Sequence, residues 1–185
     1  MRIEHVGQGF WMVPLLFVVG LVLVGCERFD PETLGGQLGE HEGQPAVILD
    51  NGDVYLVDDD MFTGAIGHVG YVQDRVAMPG WAVNSAQSRS VTAVVIIVDG
   101  RIVASTAPDA ARESAAERWG EQVNPAGFRL EVPFTVLANA AESPQFFALY
   151  RDADQEEHKY AGALSYRGRS RCMLEQLPDD PADCD

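Results

Sequence analysis

Residues 91–104 read VTAVVIIVDGRIVA and carry the clearest structural signal in the chain. Two apolar runs flank Asp99-Gly100, and this pair predicts a tight β-hairpin turn, because both central residues of such a turn need positive φ. The first run is apolar at nearly every position, so both faces of its strand need cover. We expect this strand to lie centrally in a sheet with one face under a helix; the alternative is an exposed apolar stripe.

A second hairpin is predicted over 46–57, where Asn51-Gly52 separates two short apolar runs. Further strands are predicted where apolar residues alternate or cluster between turn residues: 67–74, 76–83, 127–132, 145–151 and 158–166. In the third of these, alternation places Phe128 on the inner face. Short strands at this spacing predict a mainly β domain, an Ig-like antiparallel β-sandwich with one short helix.

The single helix is expected after Thr106-Ala107-Pro108-Asp109, which resembles a capping box with Asp in the place of Glu. Ala111, Ala115 and Trp119 then fall on one side of the helix, and Gly120 is a suitable stop. The helix would pack its alanine side against a sheet.

The chain has 185 residues, 46% of them hydrophobic, and it carries 28 acidic against 13 basic side chains, a net charge of −15. This length is typical of one domain. Nonspecific binding to nucleic acid needs clustered Lys and Arg, so we expect no nucleic-acid partner. Arg167, Arg169 and Arg171 recur at every second position. On a strand they would form one basic patch for lipid phosphates or an acidic partner; ordinary solvated arginines are the alternative.

The sequence contains no motif typical of catalysis or nucleotide binding, such as a Gly-x-Ser-x-Gly elbow, a Gly-x-Gly-x-x-Gly turn or a P-loop. Asp58-Asp59-Asp60 could offer oxygen ligands to calcium together with Asp50 and Asp53, but the alternating spacing of a calcium loop is missing. A solvated acidic turn is therefore favoured. We expect no enzymatic activity, no cofactor and no metal.

The N-terminus has the features of an export signal. Residues 10–25 are uncharged, which is shorter than the stretch of about 20 residues that spans a bilayer and is typical of a signal-peptide core. This run ends in Leu23-Val24-Gly25-Cys26, which resembles the lipobox of bacterial lipoproteins. The resemblance implies removal of a signal peptide over 1–25 and attachment of lipid to the Cys26 sulfur, which would anchor the protein in a membrane. An uncleaved anchor and an ordinary secretory signal are the alternatives.

Three regions are expected after the signal peptide: a flexible Gly- and Glu-rich tether over 26–44, the β-sandwich over 45–171 and an acidic tail over 172–185. Two cysteines, Cys172 and Cys184, then remain for an oxidising compartment, and such a pair predicts a disulfide. Two free thiols are the alternative.

Short motifs occur in a fixed order between 66 and 166: GHVGYV at 67–72, PGWA at 79–82, VVIIVDG at 94–100 and GF at 127–128. This order resembles small bacterial β-sandwich modules that lie beside glycosyltransferase domains in surface-polysaccharide proteins. The resemblance implies an Ig-like accessory, binding or structural module that has no catalytic residues of its own.

The PGWA motif also has a structural interpretation. Gly80 would let the backbone pass close to a large ring, Trp81 would fill the space between two sheets, and Ala82 would leave room on the opposite face. These residues and Phe128 form the predicted core. A sugar-stacking platform is the alternative role for Trp81.

Taken together, the sequence predicts an exported lipoprotein of the bacterial cell envelope, on the periplasmic or extracellular side, whose noncatalytic domain binds a protein partner. A carbohydrate-binding module for envelope polysaccharide is the alternative, and an enzyme without a visible motif is a third hypothesis. An exposed row of aromatic side chains would favour polysaccharide, and a contiguous apolar patch would favour a protein.

Overall fold

The computed structural model describes residues 29–152, 159–177 and 184. Cys26 and the predicted signal peptide lie outside these residues. In the described part, the strands in chain order are β1 (Gly36–His41), β2 (Gln44–Leu49), β3 (Val54–Val57), β4 (Phe62–Ile66), β5 (Gly70–Val72), β6 (Arg75–Asn84), β7 (Arg89–Ser90), β8 (Ala93–Val98), β9 (Arg101–Thr106), β10 (Gly127–Pro133), β11 (Gln145–Arg151) and β12 (Lys159–Ala163). The α-helices in the same part are α1 (Glu113–Trp119), α2 (Phe134–Ala138) and α3 (Arg169–Glu175).

The first sheet closes into a seven-stranded barrel in the order β1-β2-β3-β12-β11-β8-β9. Neighbouring strands of this barrel pair in the antiparallel direction, except β3 and β12, which pair in parallel. The barrel closes where Gln37 of β1 pairs with Arg101 of β9, and the Leu38 N–H donates to the Gly100 carbonyl over 2.9 Å. The second sheet has the order β10-β6-β4, and β5 and β7 also pair with β6.

The predicted Ig-like sandwich is wrong, because the first sheet closes on itself. Strand β8 shows the physical reason. Ala93, Val95 and Ile97 belong to the cluster inside the barrel, while the alternate residues of the strand lie in the core shared with the second sheet. Both faces of β8 are buried, as the apolar run requires, but the outer face lies under a sheet and not under the predicted helix. An apolar run in the sequence predicts that both faces of the strand are buried, but it does not specify which element packs against them.

Both hairpins predicted from the sequence are confirmed by the strand pairing. Strands β2 and β3 pair on either side of Asn51-Gly52, and β8 and β9 pair on either side of Asp99-Gly100. Asp99 and Gly100 have φ of 49° and 76°, so both central residues have the positive φ that this turn needs. In the first hairpin, Gly52 alone of the central pair has positive φ, at 89°.

The predicted tether does not extend to residue 44, because β1 begins at Gly36 and pairs along its whole length with β2. Phe29 and Leu34 already pack against the cluster inside the barrel. Gly36 explains why a Gly-rich segment can form this strand: a Cβ atom there would lie 2.3 Å from the Ile48 carbonyl oxygen. Glycine at this position permits a close backbone approach.

The helical content also differs from the single predicted helix. Helix α1 ends at Trp119 before Gly120, as expected, but it begins at Glu113, and Thr106 belongs to β9. Helix α3 crosses the predicted boundary at residue 172, and its Met173 and Leu174 are buried in the core between the sheets.

Candidate binding surface on the second sheet

Two tryptophans lie side by side on the outer face of the second sheet, the face that points away from the barrel. The ring centroids of Trp81 and Trp119 are 5.9 Å apart and their planes are inclined by 37°. Both side chains are half-buried. We call this pair the tryptophan platform.

Strand β6 places Trp81 on this face by alternation, since successive side chains of a strand point to opposite sides. Met78 and Ala82 face the core between the sheets, whereas Trp81 packs with Val83 against a small cluster on the opposite side. The cross-strand neighbours of Trp81 are Ala65 on β4 and Gly127 on β10. Neither neighbour carries a side chain large enough to cover the indole.

The segment between β9 and β10 brings Trp119 to the same place. It contains α1 and a short 3-10 turn, Glu121–Val123, and it rests on the sheet through the buried side chains of Ala115 and Val123. Gly120, with φ of 93°, lies between α1 and this 3-10 turn. The Gln122 side-chain amide donates to the Trp119 carbonyl over 2.7 Å, so the backbone at the tryptophan is held in place.

An arginine lies over each indole ring. Arg118 Cζ is 4.7 Å from the centroid of the Trp119 ring, and Arg112 Cζ is 6.0 Å from that of Trp81. Both arginines are exposed, so each contact stabilises the fold by only about 0.5–1 kcal/mol. The Arg112 backbone N–H donates to Asn124 Oδ1 over 3.0 Å, which fixes the start of α1 beside the platform.

The structure thus places Trp81 differently from the core role predicted for it. Trp81 does not fill the space between the two sheets but lies on the outer face of the second sheet. The large ring beside Gly80 is instead Phe128: a Cβ atom at Gly80 would lie 2.4 Å from Phe128 Cζ. Phe128 and Ala82 are both buried, with 3% and 0% of their surface exposed. The alternation within β10 gave the direction of Phe128, but no signal in the sequence paired Trp119 with Trp81.

The predicted basic patch is wrong in its geometry. Arg169 and Arg171 lie in α3, and Gly168 with φ of 56° separates them from Arg167. Two residues apart on a helix, Arg169 and Arg171 point in different directions. Arg171 Nε contacts Glu175 Oε2 over 2.9 Å, so its charge is already compensated. The neighbouring Cys172 forms a disulfide with Cys184, and their Cα atoms are 5.7 Å apart.

A second group of charged residues lies at one end of the barrel, centred on Asp53. Lys159 Nζ donates to its Oδ1, and Arg151 Nη1 is 3.5 Å from its Oδ2. Burial disfavours the charged carboxylate, but the hydrogen bond and charge of Lys159, with Asn51 and Arg151, outweigh this and lower the pKa of Asp53 below 3.8. This group ties the start of β3 to β11 and β12 and therefore supports the parallel part of the barrel.

The interior of the barrel is filled by side chains. Tyr55, Phe147 and Leu149 belong to its cluster. The Tyr55 hydroxyl has no hydrogen-bond partner within the described residues, and burial, with the nearby charge of Asp53, raises its pKa. A cavity of about 550 Å³ lies at the end of the barrel near Asp53 and is bordered by Asp30, Asp50 and Asn51, among others. In the described ranges, no cluster of three or more His, Cys, Asp or Glu side chains could hold a metal ion.

Large apolar side chains are exposed at two separate places in the described part of the chain. Val72 lies on β5 of the second sheet and Val103 on β9 of the barrel. They do not form one patch. None of the described helices is long and apolar enough to cross a membrane.

Comparison with known proteins gives no match of any kind: no protein-family model fits the sequence, no curated protein is significantly similar, and no solved structure matches the fold. The resemblance to Gly-Trp-Ala modules therefore stays a prediction.

Proposed function

We propose that this protein is a noncatalytic lipoprotein of the bacterial cell envelope whose domain binds polysaccharide through the tryptophan platform. The observation that carries the proposal is the pair of half-buried indoles, Trp81 and Trp119, which lie side by side over the outer face of the second sheet. An indole offers a flat apolar face to the C–H groups of a sugar ring and an N–H group to its hydroxyls. Two neighbouring indoles can therefore contact two parts of one saccharide chain.

A protein partner, the first expectation from the sequence, is the second candidate. The platform supports it because Trp and Arg are enriched among the residues that dominate protein interfaces. However, the exposed Val72 and Val103 lie on different sheets, and a stable interface usually has a contiguous apolar centre. The geometry therefore favours a saccharide.

Membrane attachment is proposed from the lipobox alone. The test is the intact mass of the protein isolated from membranes. We expect acyl chains on an N-terminal Cys26, and the Cys26→Ser variant should keep its leader and lose the acyl mass. An unmodified N-terminus elsewhere in the chain would refute the lipid anchor while leaving the binding proposal intact.

The binding proposal is tested by affinity electrophoresis of the domain through gels that contain envelope polysaccharide. The wild-type domain should be retarded, and Trp119→Ala should lower its affinity at least tenfold. Trp119→Phe keeps an aromatic face and should lose less. Val103→Ala, at an exposed site on the barrel, is the control and should bind as the wild type does.

Two results would contradict this assignment. One is equal retardation of the wild type and of both Trp81→Ala and Trp119→Ala. The other is no retardation by any polysaccharide, combined with a partner protein whose photo-cross-linking at Glu117 is abolished by Trp119→Ala. The second result would establish the protein partner instead.

A further inference from the structure

We infer that the saccharide bound by the tryptophan platform is acidic, and that Arg112 and Arg118 bind its carboxylates. This inference rests on the proposed function and adds the charge of the ligand. Each of the two guanidinium groups lies over an indole ring, and both arginines are exposed.

Among the described residues, Arg112 and Arg118 have no acidic partner, in contrast to Arg75 and Arg129 on the second sheet. Arg75 and Arg129 both contact Glu131, with Nε to carboxylate distances of 3.4 and 2.8 Å. Within the described residues, neither Arg112 nor Arg118 forms an ion pair. Their charges are thus uncompensated in a protein with a net charge of −15.

The two glutamates of α1 point away from the platform. Successive residues of an α-helix are separated by about 100°. Glu113 and Glu117 therefore lie on the side of α1 opposite Ala115 and Trp119, and both glutamates are exposed. Arg118 lies between the two sides. The side chains that α1 places next to the two indoles are therefore Arg112 and Arg118. Glu121 lies in the following turn, where its Oε2 accepts a hydrogen bond from Asn124 Nδ2 over 3.3 Å.

Arg118 Cζ, 4.7 Å from the Trp119 centroid, lies within stacking distance of the indole, whereas Arg112 Cζ, 6.0 Å from the Trp81 centroid, lies at the outer limit of a cation–π contact. Arginine stacks on aromatic faces through its planar surface, and this leaves the N–H groups at its edge free to donate. A carboxylate accepts two such hydrogen bonds side by side, which makes the pair both stronger and more directional than a bond between neutral groups. A sugar ring on one indole would hold its carboxylate near the neighbouring arginine.

The charge of the whole protein constrains how such a ligand binds. A polyanion is repelled by a net charge of −15, but over distances beyond about 8 Å this repulsion is screened at physiological ionic strength. Contacts at the platform then determine the affinity. A neutral ligand would gain no charge-assisted hydrogen bond from the two arginines, and this difference makes the inference testable.

The probes are oligogalacturonate, which has one carboxylate per sugar, and the same oligomer with its carboxylates methyl-esterified. Binding of each to the wild-type domain is measured by isothermal titration calorimetry. We expect the acidic oligomer to bind at least tenfold more tightly than its ester. Arg112→Gln and Arg118→Gln should each reduce this preference at least threefold without changing the affinity for the ester.

Arg129→Gln is the matched control, because Arg129 lies on the same sheet but already contacts Glu131. It should leave both affinities unchanged. Equal binding of acid and ester, or loss of the preference in Arg129→Gln alone, would overturn the inference while the polysaccharide proposal stands. If neither these oligomers nor any envelope polysaccharide binds, the proposed function itself fails. Circular dichroism of each variant verifies that the fold is kept.

Discussion

Replacing Gly80 by Ala tests the packing that separates the two faces of the second sheet. The added Cβ atom would lie 2.4 Å from Phe128 Cζ and 2.7 Å from the Ala65 carbonyl oxygen. Carbon atoms in contact are normally about 3.5–4.0 Å apart, so the ring must move by about 1 Å. Phe128 is 3% exposed, and its surroundings leave little room for that shift.

The expected cost can be estimated from these contacts. Overpacking of a core typically destabilises a protein by about 1–3 kcal/mol. Alanine restricts the unfolded chain more than glycine does, and this offsets about 0.5–1 kcal/mol. Because both contacts are shorter than 3 Å, the overpacking cost lies in the upper half of its range, and we expect Gly80→Ala to lower the free energy of unfolding by about 1–2.5 kcal/mol.

Urea denaturation followed by circular dichroism measures this difference as a shift of the midpoint at constant slope. Gly70→Ala is the matched control, because a Cβ atom at Gly70 would meet nothing within 4 Å. It should change stability by less than about 0.5 kcal/mol or slightly increase it.

In a Phe128→Leu background the ring is absent, so Gly80→Ala should cost at least about 1 kcal/mol less than in the wild type. Equal stabilities of Gly80→Ala and Gly70→Ala would refute the assignment of Phe128 to this contact.

Three other changes have definite expected outcomes. Asp53→Asn removes the partner of Lys159 and should lower the free energy of unfolding by about 1–3 kcal/mol at pH 7 in urea titrations. The pKa of Asp53 is lowered in the folded state, so the stability that its carboxylate contributes is complete above the ordinary pKa of 3.8 and is lost as the pH falls through the folded pKa. The variant should therefore lose less stability than the wild type between pH 5 and pH 2. Parallel curves of unfolding free energy against pH for the two proteins would contradict this. Replacing Cys172 and Cys184 together by Ser opens a loop with a sequence separation of 12 and should cost about 3 kcal/mol, measured against the wild type under oxidising conditions; an unchanged denaturation midpoint would contradict this. Trp81→Ala should cost about 1–2 kcal/mol in thermal denaturation, less than the 3–5 kcal/mol or so of a fully buried tryptophan, and a cost in that higher range would mean that Trp81 is a core residue after all.

The local elements of this fold could be predicted from the sequence better than their arrangement. Asp99-Gly100 and the alternation around Phe128 depend on neighbouring residues, and the structure has both as the pattern indicates. Closure of the barrel depends on the pairing of Gln37 with Arg101, and no periodicity of either segment specifies that pairing. The sequence does not predict β1, because its two glycines and polar residues show no strand alternation, although its backbone groups pair fully with β2.

The candidate site was harder to predict because it depends on residues that are distant in sequence. Trp81 is typical of a core residue when only its own strand is considered, since the motif around it is apolar. Trp119 is typical of the packing side of a short helix. Their contact follows from the way the segment after β9 folds back onto the sheet, where the Ala110 and Gly127 backbones pair. A sugar-stacking role for Trp81, which the sequence offers only as an alternative, stays a proposal.

The architecture also explains why the proposed binding surface lies on the second sheet and not in the barrel. Inside the barrel, Tyr55, Phe147 and Leu149 occupy the space that a ligand would need. The face of the barrel around β8 is buried against the second sheet, so the tryptophan platform lies on the opposite face of that sheet, next to the cluster formed with α1. β6 can serve both faces because its residues alternate between the core and the tryptophan platform. A substitution on the platform should thus alter binding with little effect on the core, whereas a substitution at Gly80, one residue away, should disturb the core first.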